Sequence, residues 1–486
     1  VKSPGFFAAS TKRDATPSMP VDKTPALEKG EAYGKVPATP VKADDWTMYR
    51  ANAARGGAAS SNIPDKLTKK WTISLGGKIT QPIIAGGKMF VASTHTHTIH
   101  ALSADNGKAI WTYTAGGRID SSPTIYKSMV LFGCADGWIY CLTAADGKLV
   151  WRFRAAPTER LVNAYGQVES LWPVHGTILV QNDIIYASAG RSTYLDGGIV
   201  LYSIDPASGK QLSKTMLYHL DPKTGKQLTK ESGFNMDGST SDVLVGDGEN
   251  VYLKYFAFDR KGQRTNETGN HLFTIAGMLG EEWFVRSYWV VGKGKPGAGW
   301  SQWVKAANAF PAGRILSFNE DNVYGYGRQK VVGGPVGHKA DAYHLFNANR
   351  KAAPTPAPAP KKAPAQGKKP KKRRKAKGPA KAKPVWSEAK SLIVRAMVLG
   401  DDKLVVAGPI DLGKKEAKIL AFSNEAEALA GFLGSKGIFL RVVSASDGKT
   451  ISQLELKTMP AFDGMSAAGG KIYLTLRDGS IACYGK

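Results

Sequence analysis

Three closely spaced histidines, His95, His97 and His100, suggest metal chemistry by their type and spacing. Histidines at positions i and i+2 of a strand project to the same face, where they can bind one ion. A second copy of the same segment aligns His97 with Gly137 and His100 with Tyr140, which places the group across an ordinary hairpin turn. No companion Cys, Asp or Glu lies at ligand spacing. We therefore expect a hairpin here and no metal site.

A dense aromatic stretch surrounds Gly292–Gly299 and could present flat rings to a partner protein or a carbohydrate. Its members are Trp283, Tyr288, Trp289, Trp300, Trp303 and Phe310. The alternative is core packing between neighbouring elements, and we favour it slightly.

A basic, low-complexity insertion spans residues 350–385 and is too polar and too charged to form a core. Between Lys351 and Pro384 it has 13 Lys or Arg and no Asp or Glu, which is half of the net charge of +26. Such a polycation binds nucleic acid, acidic polysaccharide or anionic headgroups without sequence specificity. The candidate polyanion-binding residues are Lys368, Lys369, Lys371, Lys372, Arg373, Arg374 and Lys375. A solvated loop with no dedicated partner is the alternative.

The three cysteines, an odd number, argue against a disulfide framework. Cys141 and Cys483 occupy matching positions of a repeat, and Ala101 takes the same position in an earlier copy. A cysteine that alternates with alanine is most simply a small apolar core residue. No Ser/His/Asp arrangement and no Gly-rich phosphate loop stand out, and no apolar window is long enough to be a transmembrane segment.

The repeat behind these alignments has a period of 40, which the spacing of Trp71, Trp111 and Trp151 shows. Gly107-Lys-Ala-Ile-Trp111-Thr matches Gly147-Lys-Leu-Val-Trp151-Arg. A period near 40 built from short β-runs and Gly turns is typical of β-propeller blades with about four strands each. The sequence therefore predicts an all-β fold of four-stranded antiparallel blades.

Eight paired-strand units follow one another, and seven is the alternative count because the fifth and sixth are weakly periodic. The units are Gln81–Thr94, Ser122–Ala135, Pro173–Ala189, Ser241–Asp259, Met278–Gly292, Gly313–Arg328, Ile393–Pro409 and Gly464–Asp478. The run from Lys70 resembles a fourth strand without a blade before it, and the last unit stops before its own fourth strand. We expect the N-terminal strand to complete the last blade and close the ring of an eight-bladed propeller, which removes exposed sheet edges.

The chain divides into an extended Pro/Ala/Lys-rich segment, residues 1–45, and a propeller, residues 46–486, which contains the basic insertion. The stretch from Asn424 to Lys436 is rich in Ala, Glu and Leu and predicts one short helix.

The turns resemble the tryptophan-docking repeat of quinoprotein-type, or PQQ-like, β-propellers. The matching turns are Asp105-Asn-Gly107-Lys, Asp146-Gly147-Lys, Asp205-Pro-Ala-Ser-Gly209-Lys and Asp447-Gly448-Lys. In that family the glycine makes the tight turn and the tryptophan packs against the neighbouring blade. The resemblance therefore implies docking roles for Trp71, Trp111, Trp151, Gly107 and Gly147. The opening Asp45-Trp46-Thr-Met-Tyr49-Arg50 is similar to the start of bacterial members.

Catalytic members of this family hold the quinone over a disulfide between adjacent cysteines, with a tryptophan on its other face and carboxylates that bind Ca²⁺. This chain has no adjacent cysteines and no C-x-x-C-H haem motif. It therefore resembles the non-catalytic branch. The resemblance implies an exported protein of the periplasm or cell surface, with no cofactor.

The first strand of each blade lines the central channel of a propeller, so a small molecule would bind where several blades converge. The candidates at the start of these strands are Gln81, Ser122, Trp172, Asp242, Arg286, Arg395 and Asp463. The alternative, which we favour, is that these side chains bond one another and water and so fill the channel.

Together these features predict a non-catalytic binding or assembly scaffold with protein partners. The first alternative is a quinone- or metal-dependent oxidoreductase that uses the channel residues, with PQQ and Ca²⁺ as cofactors. The second alternative is a polyanion-binding surface protein that uses the basic insertion.

Overall fold

The computed structural model describes residues 26–37, 41–221, 223–228, 238–266, 269–274, 277–279, 288–293, 302–328, 343–352, 383–388, 392–411 and 424–486. Within these ranges the fold is all-β, with two short helices, Gln302–Ala309 and Glu425–Phe432. The strands form eight antiparallel blades and one separate hairpin. The predicted eight-bladed propeller is therefore confirmed.

Blades 1 to 4 follow one another in the chain, and each runs from its innermost to its outermost strand. Blade 1 comprises Ile83–Ala85, Lys88–Ser93, Thr98–Ser103 and Ala109–Thr114. Blade 2 comprises Thr124–Tyr126, Met129–Gly133, Trp138–Thr143 and Leu149–Arg154. Blade 3 comprises Leu179–Gln181, Ile184–Ala189, Ile199–Ile204 and Gln211–Leu217. Blade 4 comprises Leu244–Gly246, Val251–Leu253, Phe256–Phe258 and Arg264–Thr265.

Blades 5 to 7 continue the same order. The described strands of blade 5 are His271–Thr274, Trp289–Gly292 and Ala312–Gly313. Blade 6 comprises Ile315–Phe318, Asn322–Arg328, Tyr343–Asn349 and Trp386–Glu388. Blade 7 comprises Ala396–Leu399, Lys403–Pro409, Ile438–Ser444 and Thr450–Leu456.

Blade 5 begins earlier than the sequence predicts. Its first strand is His271–Thr274, and the predicted unit Met278–Gly292 contributes the second strand, Trp289–Gly292. A stretch of 14 residues separates these two strands, whereas a tight hairpin turn joins the first two strands of blade 1. The paired-strand pattern that locates a unit is therefore weakest here.

Blade 8 combines the two ends of the described chain. Its inner strands are Pro460–Ala468, Lys471–Leu476 and Ser480–Gly485. Thr68–Ser74 pairs antiparallel with Ser480–Gly485 as its outermost strand, with Trp71 opposite Cys483. The strand Thr68–Ser74 thus supplies the missing fourth strand, and closure of the whole ring stays a prediction.

Two further elements attach to blade 2. Leu27–Lys29 pairs antiparallel with the outer strand Leu149–Arg154 as a fifth strand. A separate hairpin, Leu161–Ala164 and Gln167–Ser170, follows that outer strand before blade 3 begins. Both lie where the 40-residue repeat is interrupted or absent.

Tryptophan docking joins neighbouring blades. A Cβ on Gly147 would lie 2.6 Å from the ring of Trp111, so only glycine fits there, and its φ of 73° also favours glycine. Trp71 meets Gly107, and Trp151 meets Gly209, in the same way. Each tryptophan therefore packs on the turn of the blade that follows it.

The helix Glu425–Phe432 lies within the predicted stretch. The side chain of Asn424 caps it by accepting a hydrogen bond of 3.0 Å from the main-chain N–H of Glu427. An asparagine at this position satisfies one of the free N–H groups of the first turn.

Candidate functional site

A bridging segment, residues 46–63, crosses the carboxyl ends of the innermost strands. Its main chain bonds directly to five different blades, with N···O distances between 2.6 and 2.9 Å. The contacted residues are Ile84 of blade 1, Ile125 of blade 2, Gly246 of blade 4, Phe318 of blade 6 and Leu399 of blade 7. The segment therefore occupies this end of the propeller centre with the protein's own chain.

Arg50 anchors the bridging segment at the centre. Its guanidinium is fully buried, forms an ion pair with Asp463 of blade 8, and donates to the main-chain carbonyl of Leu316. It also lies over the ring of Trp289, with 4.7 Å from Cζ to the ring centroid. Burial raises the pKa of the Asp463 carboxyl, and the neighbouring Arg50 opposes that rise. The pair therefore connects blades 5, 6 and 8 through one buried side chain.

Arg55 and Tyr49 complete this polar centre. Arg55 is fully buried and donates to the carbonyls of Leu244, at 3.0 Å, and Tyr49, at 3.2 Å. Burial lowers the pKa of Arg55 to about 9. Burial and the charge of Asp463 raise the pKa of Tyr49 well above its usual value. Both side chains belong to the buried centre of the propeller, and Tyr49 also lines a small cavity there.

A small cavity lies among the residues that precede the innermost strands. Its volume is about 70 Å³. Its lining includes Tyr49, Gln81, Ser122, Thr177, Met278 and Asp463. The structure therefore brings together three of the predicted channel residues, Gln81, Ser122 and Asp463.

Gln81 connects several segments of the cavity wall through hydrogen bonds. Its amide nitrogen donates to the carbonyls of Asp463, at 2.8 Å, and Met465, at 2.9 Å. Its amide oxygen accepts from the N–H of Arg50 at 2.9 Å, and Ser122 donates to its carbonyl at 2.9 Å. These groups satisfy one another, which is the arrangement expected when polar side chains fill a channel.

Three further channel candidates, Trp172, Asp242 and Arg395, lie outside the cavity lining. Trp172 is buried in the core shared by blades 2 and 3, and it donates to the carbonyl of Asp196 at 2.8 Å. Asp242 is fully buried and accepts from the main-chain N–H of Met278 at 2.8 Å. Arg395 donates to the carbonyl of Pro460 at 2.8 Å. Arg286 lies outside the described residues.

An ion-pair network adjoins the cavity. Arg118 contacts Asp120 at 2.5 Å and Glu169 at 2.8 Å, and His175 contacts Asp120 at 2.5 Å. Arg191 of blade 3 forms a further ion pair with Glu169, whose side chain is fully buried. Burial raises the pKa of Asp120, but its contacts with His175 and Arg118 outweigh this and hold the pKa well below its usual range. Asp120 therefore remains a carboxylate at neutral pH.

The network fixes the hairpin of residues 161–170. Glu169 belongs to this hairpin. Of its two arginines, Arg118 lies in the connection between blades 1 and 2, and Arg191 lies in the loop between the second and third strands of blade 3. The hairpin exposes three large apolar side chains: Leu161 is 64%, Tyr165 64% and Val168 63% exposed. The ring of Tyr165 lies against Arg118 of the network, at 4.7 Å from Cζ to the ring centroid. A rigidly held hairpin with exposed apolar side chains is typical of a protein-docking surface.

Known proteins share this architecture. A PQQ-type family model, described as outer membrane protein assembly factor BamB, matches residues 46–265. No curated protein matches the sequence. The four-stranded blades, the glycine–tryptophan docking and the matched residues decide the fold type. The chain is a PQQ-like β-propeller.

Three solved structures illustrate how far the similarity extends. BamB from Moraxella catarrhalis is 12% identical, covers 87% of this PQQ-like propeller and 98% of its own chain, and has a TM-score of 0.45. Quinohemoprotein alcohol dehydrogenase from Comamonas testosteroni is 14% identical, with coverages of 91% and 81% and a TM-score of 0.46. A europium-containing methanol dehydrogenase is 12% identical, with coverages of 90% and 90% and a TM-score of 0.50. At these identities the likeness concerns the fold alone.

The described residues of the PQQ-like propeller do not fit a stacked quinone. Cys134, Cys141 and Cys483 are separate, buried and unpaired by disulfides. The cavity of about 70 Å³ is far below the roughly 300 Å³ at which small-molecule pockets begin. No three His, Cys, Asp or Glu side chains converge as metal ligands anywhere in the described ranges.

The histidines of blade 1 make structural contacts. His97 Nε2 lies 3.1 Å from Oε1 of Gln167 in the hairpin, and His100 Nε2 lies 3.0 Å from the hydroxyl of Ser93. Burial lowers the pKa of His100. His95 accepts from Gln167 through its main-chain carbonyl at 3.2 Å. The turn therefore supports the hairpin of residues 161–170.

The aromatic stretch and the basic insertion are described only in part. Tyr288 and Trp289 are buried in the core of blades 4 to 7, and Phe310 packs against it. Trp283, Trp300 and the side chain of Trp303 lie outside the described residues, as do all seven candidate polyanion-binding residues. Neither described helix is long and apolar enough to cross a membrane.

Sequence reasoning missed the two central arginines, the hairpin of residues 161–170 and one docking tryptophan. Arg50 appeared only as part of a family resemblance, and Arg55 did not appear at all. The hairpin of residues 161–170 has the alternation Leu-Val-Asn-Ala-Tyr-Gly-Gln-Val, with Tyr165-Gly as a turn signal, and this pattern could have revealed it. A fourth docking tryptophan, Trp386 on Gly448, follows the basic insertion, which hides the repeat spacing.

Proposed function

We propose that this PQQ-like propeller is a non-catalytic scaffold that binds other proteins in an assembly. The hairpin of residues 161–170 carries this proposal, because it combines exposed apolar side chains with a buried ionic attachment to Arg118 and Arg191. The family description, an outer membrane protein assembly factor, supports the same role. The proposal includes export to the periplasm or cell surface, which cell fractionation would test.

The centre of the propeller supports a scaffold over an oxidoreductase. The bridging segment occupies one end, and the small cavity next to it is lined by groups that bond one another. Native mass spectrometry with metal analysis and an absorption spectrum, on protein from its own source, is the direct test. We expect a chain without quinone or stoichiometric Ca²⁺. One quinone or one Ca²⁺ per chain would overturn the proposal and favour the oxidoreductase.

Partner binding can be tested on the hairpin itself. We expect the double variant Leu161→Lys with Val168→Lys to lose the proteins that co-purify with the native chain, because charged side chains replace the apolar ones at the proposed interface. Leu212→Lys with Ile451→Lys is the matched control, since these exposed apolar residues lie on the outer strands of blades 3 and 7. Mass spectrometry of cross-linked partners reads out both variants. An unchanged partner set in the hairpin variant would contradict the proposed docking surface.

The basic insertion supports a second, additional role in polyanion binding. The 13 cationic residues between Lys351 and Pro384, with no acidic residue among them, favour attachment to any anionic polymer. We expect heparin affinity to fall steeply with salt and to be lost when residues 351–384 are deleted. Salt-independent binding, or binding that survives the deletion, would refute this role.

A further inference from the structure

The outer strand of blade 2 differs from its counterparts because another strand covers it. In the repeat, Val150 of blade 2 matches Ile110 of blade 1. Ile110 is 46% exposed, whereas Val150 is 1% exposed. Leu212 and Ile451, on the outer strands of blades 3 and 7, are also exposed. The difference follows from the strand Leu27–Lys29, which pairs with the edge of blade 2.

Main-chain hydrogen bonds hold this N-terminal strand on the edge. Gly30 donates to the carbonyl of Val150 at 2.9 Å, and Ala32 donates to that of Leu149 at 3.1 Å. Arg154 donates to the carbonyl of Ala26 at 2.7 Å. An exposed sheet edge offers such unpaired groups to any extended chain, which is how peptides add to sheets.

Side-chain contacts give the edge a preference for a particular sequence. A Cβ on Gly209 would lie 2.7 Å from both Leu27 and Trp151, so Leu27 shares the tryptophan's docking turn. Glu28 accepts from both Nε and Nη2 of Arg152, each at 2.7 Å. The edge thus selects an apolar residue followed by an acidic residue.

Glycine is required two positions after the acidic residue. A Cβ on Gly30 would overlap the carbonyl oxygen of Leu149. No larger residue can therefore approach the edge so closely without displacing its main chain. The bound pattern is apolar, acidic, any residue, glycine.

We infer that the outer edge of blade 2 is a binding site for an extended strand of a partner protein with this pattern, and that residues 26–33 occupy it in the free chain. The N-terminal strand has only three paired residues, and its ion pair is half exposed, at 34% for Arg152 and 40% for Glu28. The segment also packs Leu27 and Tyr33 against the core of blades 2 and 3. It can nevertheless detach without unfolding a blade, and such local opening costs less free energy than unfolding of the whole fold. A partner strand that carries the same pattern displaces the N-terminal strand and takes over its contacts.

A peptide in trans tests this site on the full chain. The probe is a fluorescent peptide of residues 24–35, measured by anisotropy against the native chain and against Leu27→Asp, which weakens the internal strand. We expect the peptide to bind Leu27→Asp at least about tenfold more tightly than the native chain, because the internal competitor is weakened. A peptide with Gly30→Val is the matched control and should not bind.

A charge exchange distinguishes recognition from a merely structural contact. Adding Arg152→Glu to the Leu27→Asp chain should weaken the native peptide about fivefold, as expected for a partly exposed ion pair. A peptide with Glu28→Arg should restore the lost affinity. If Leu27→Asp does not fold by circular dichroism, Glu28→Arg in the full chain replaces it. Equal binding of the native and Gly30→Val peptides, or no binding to a folded variant, would overturn the inference.

Discussion

Removing Arg50 should destabilise this propeller more than removing any surface arginine. Arg50→Met keeps much of the side-chain volume but deletes the charge that faces Asp463. Asp463 remains fully buried, with no compensating cation in its ion pair. The variant also loses the hydrogen bonds to the carbonyls of Leu316 and Arg55.

The expected loss follows from these contacts. Breaking a buried ion pair from one side costs about 3–5 kcal/mol, because an uncompensated charge stays buried. Two lost hydrogen bonds from a charged donor add about 1.5–3 kcal/mol each. The sum of roughly 6–11 kcal/mol is comparable with the whole stability of about 5–15 kcal/mol of a typical protein. We therefore expect Arg50→Met to be largely unfolded at 37 °C.

A second substitution should recover part of this loss. Asp463 has a φ of 52°, a region that asparagine tolerates, so Asp463→Asn neutralises the carboxylate without new backbone strain. Arg50→Met with Asp463→Asn should be more stable than Arg50→Met alone by about 2–3 kcal/mol. The matched control is the exposed pair Arg260 and Glu249, whose charged atoms lie 3.4 Å apart. When both residues of this pair are neutralised, the coupling free energy between the two substitutions should be less than about 1 kcal/mol.

Urea unfolding followed by tryptophan fluorescence measures the midpoint of unfolding for the single and double variants of both pairs, Arg50 with Asp463 and Arg260 with Glu249. Reversible refolding of the native chain is the control for treating the midpoint as an equilibrium value. A variant Arg50→Met with a native midpoint would refute the reasoning. So would a coupling at the centre no larger than the coupling of the exposed pair.

Two further predictions concern blade docking and the ion-pair network. Gly147→Ala should lower the melting temperature more than Gly225→Ala. Both glycines have positive φ, 73° and 64°, but only at Gly147 would a Cβ meet Trp111. Equal decreases in melting temperature would contradict the docking role. Asp120→Asn should cost about 1–3 kcal/mol at pH 7. Because the folded pKa of Asp120 lies below its usual 3.8, this stability is present above that value and is lost as the pH falls through the folded pKa. A difference between native and variant midpoints that stays constant down to pH 2 would contradict the assignment.

The fold was predictable because its information is local and repeated. Trp71, Trp111 and Trp151 recur with their turns, and one repeat explains the next. An insertion or a long connection breaks the spacing before Trp386 and within blade 5. The repeats can no longer be aligned there, and the predicted strand boundaries differ from the observed ones. Repetition thus determines what the sequence alone reveals about a propeller.

The site was predictable only in part, because its contacts are non-local and non-repeated. Gln81, Ser122 and Asp463 line the same cavity because each lies near the start of an innermost strand, and their role in binding stays a prediction. Arg50 and Arg55 lie in a segment without periodicity, and their partners are up to 413 residues away. No local pattern encodes a pair at that separation.

The separation between Arg50 and Asp463 also affects how the protein is made. At about 5–20 residues per second, Asp463 leaves the ribosome roughly 20–80 s after Arg50. Through that interval the guanidinium that will be buried at the centre lacks its counter-ion, and the bridging segment lacks its contacts to blades 6 and 7. Blades can form one by one during synthesis, but the centre can be completed only after nearly the whole chain exists. The unfinished propeller is therefore exposed to aggregation throughout that interval, and a chain truncated before blade 8 can never complete its centre.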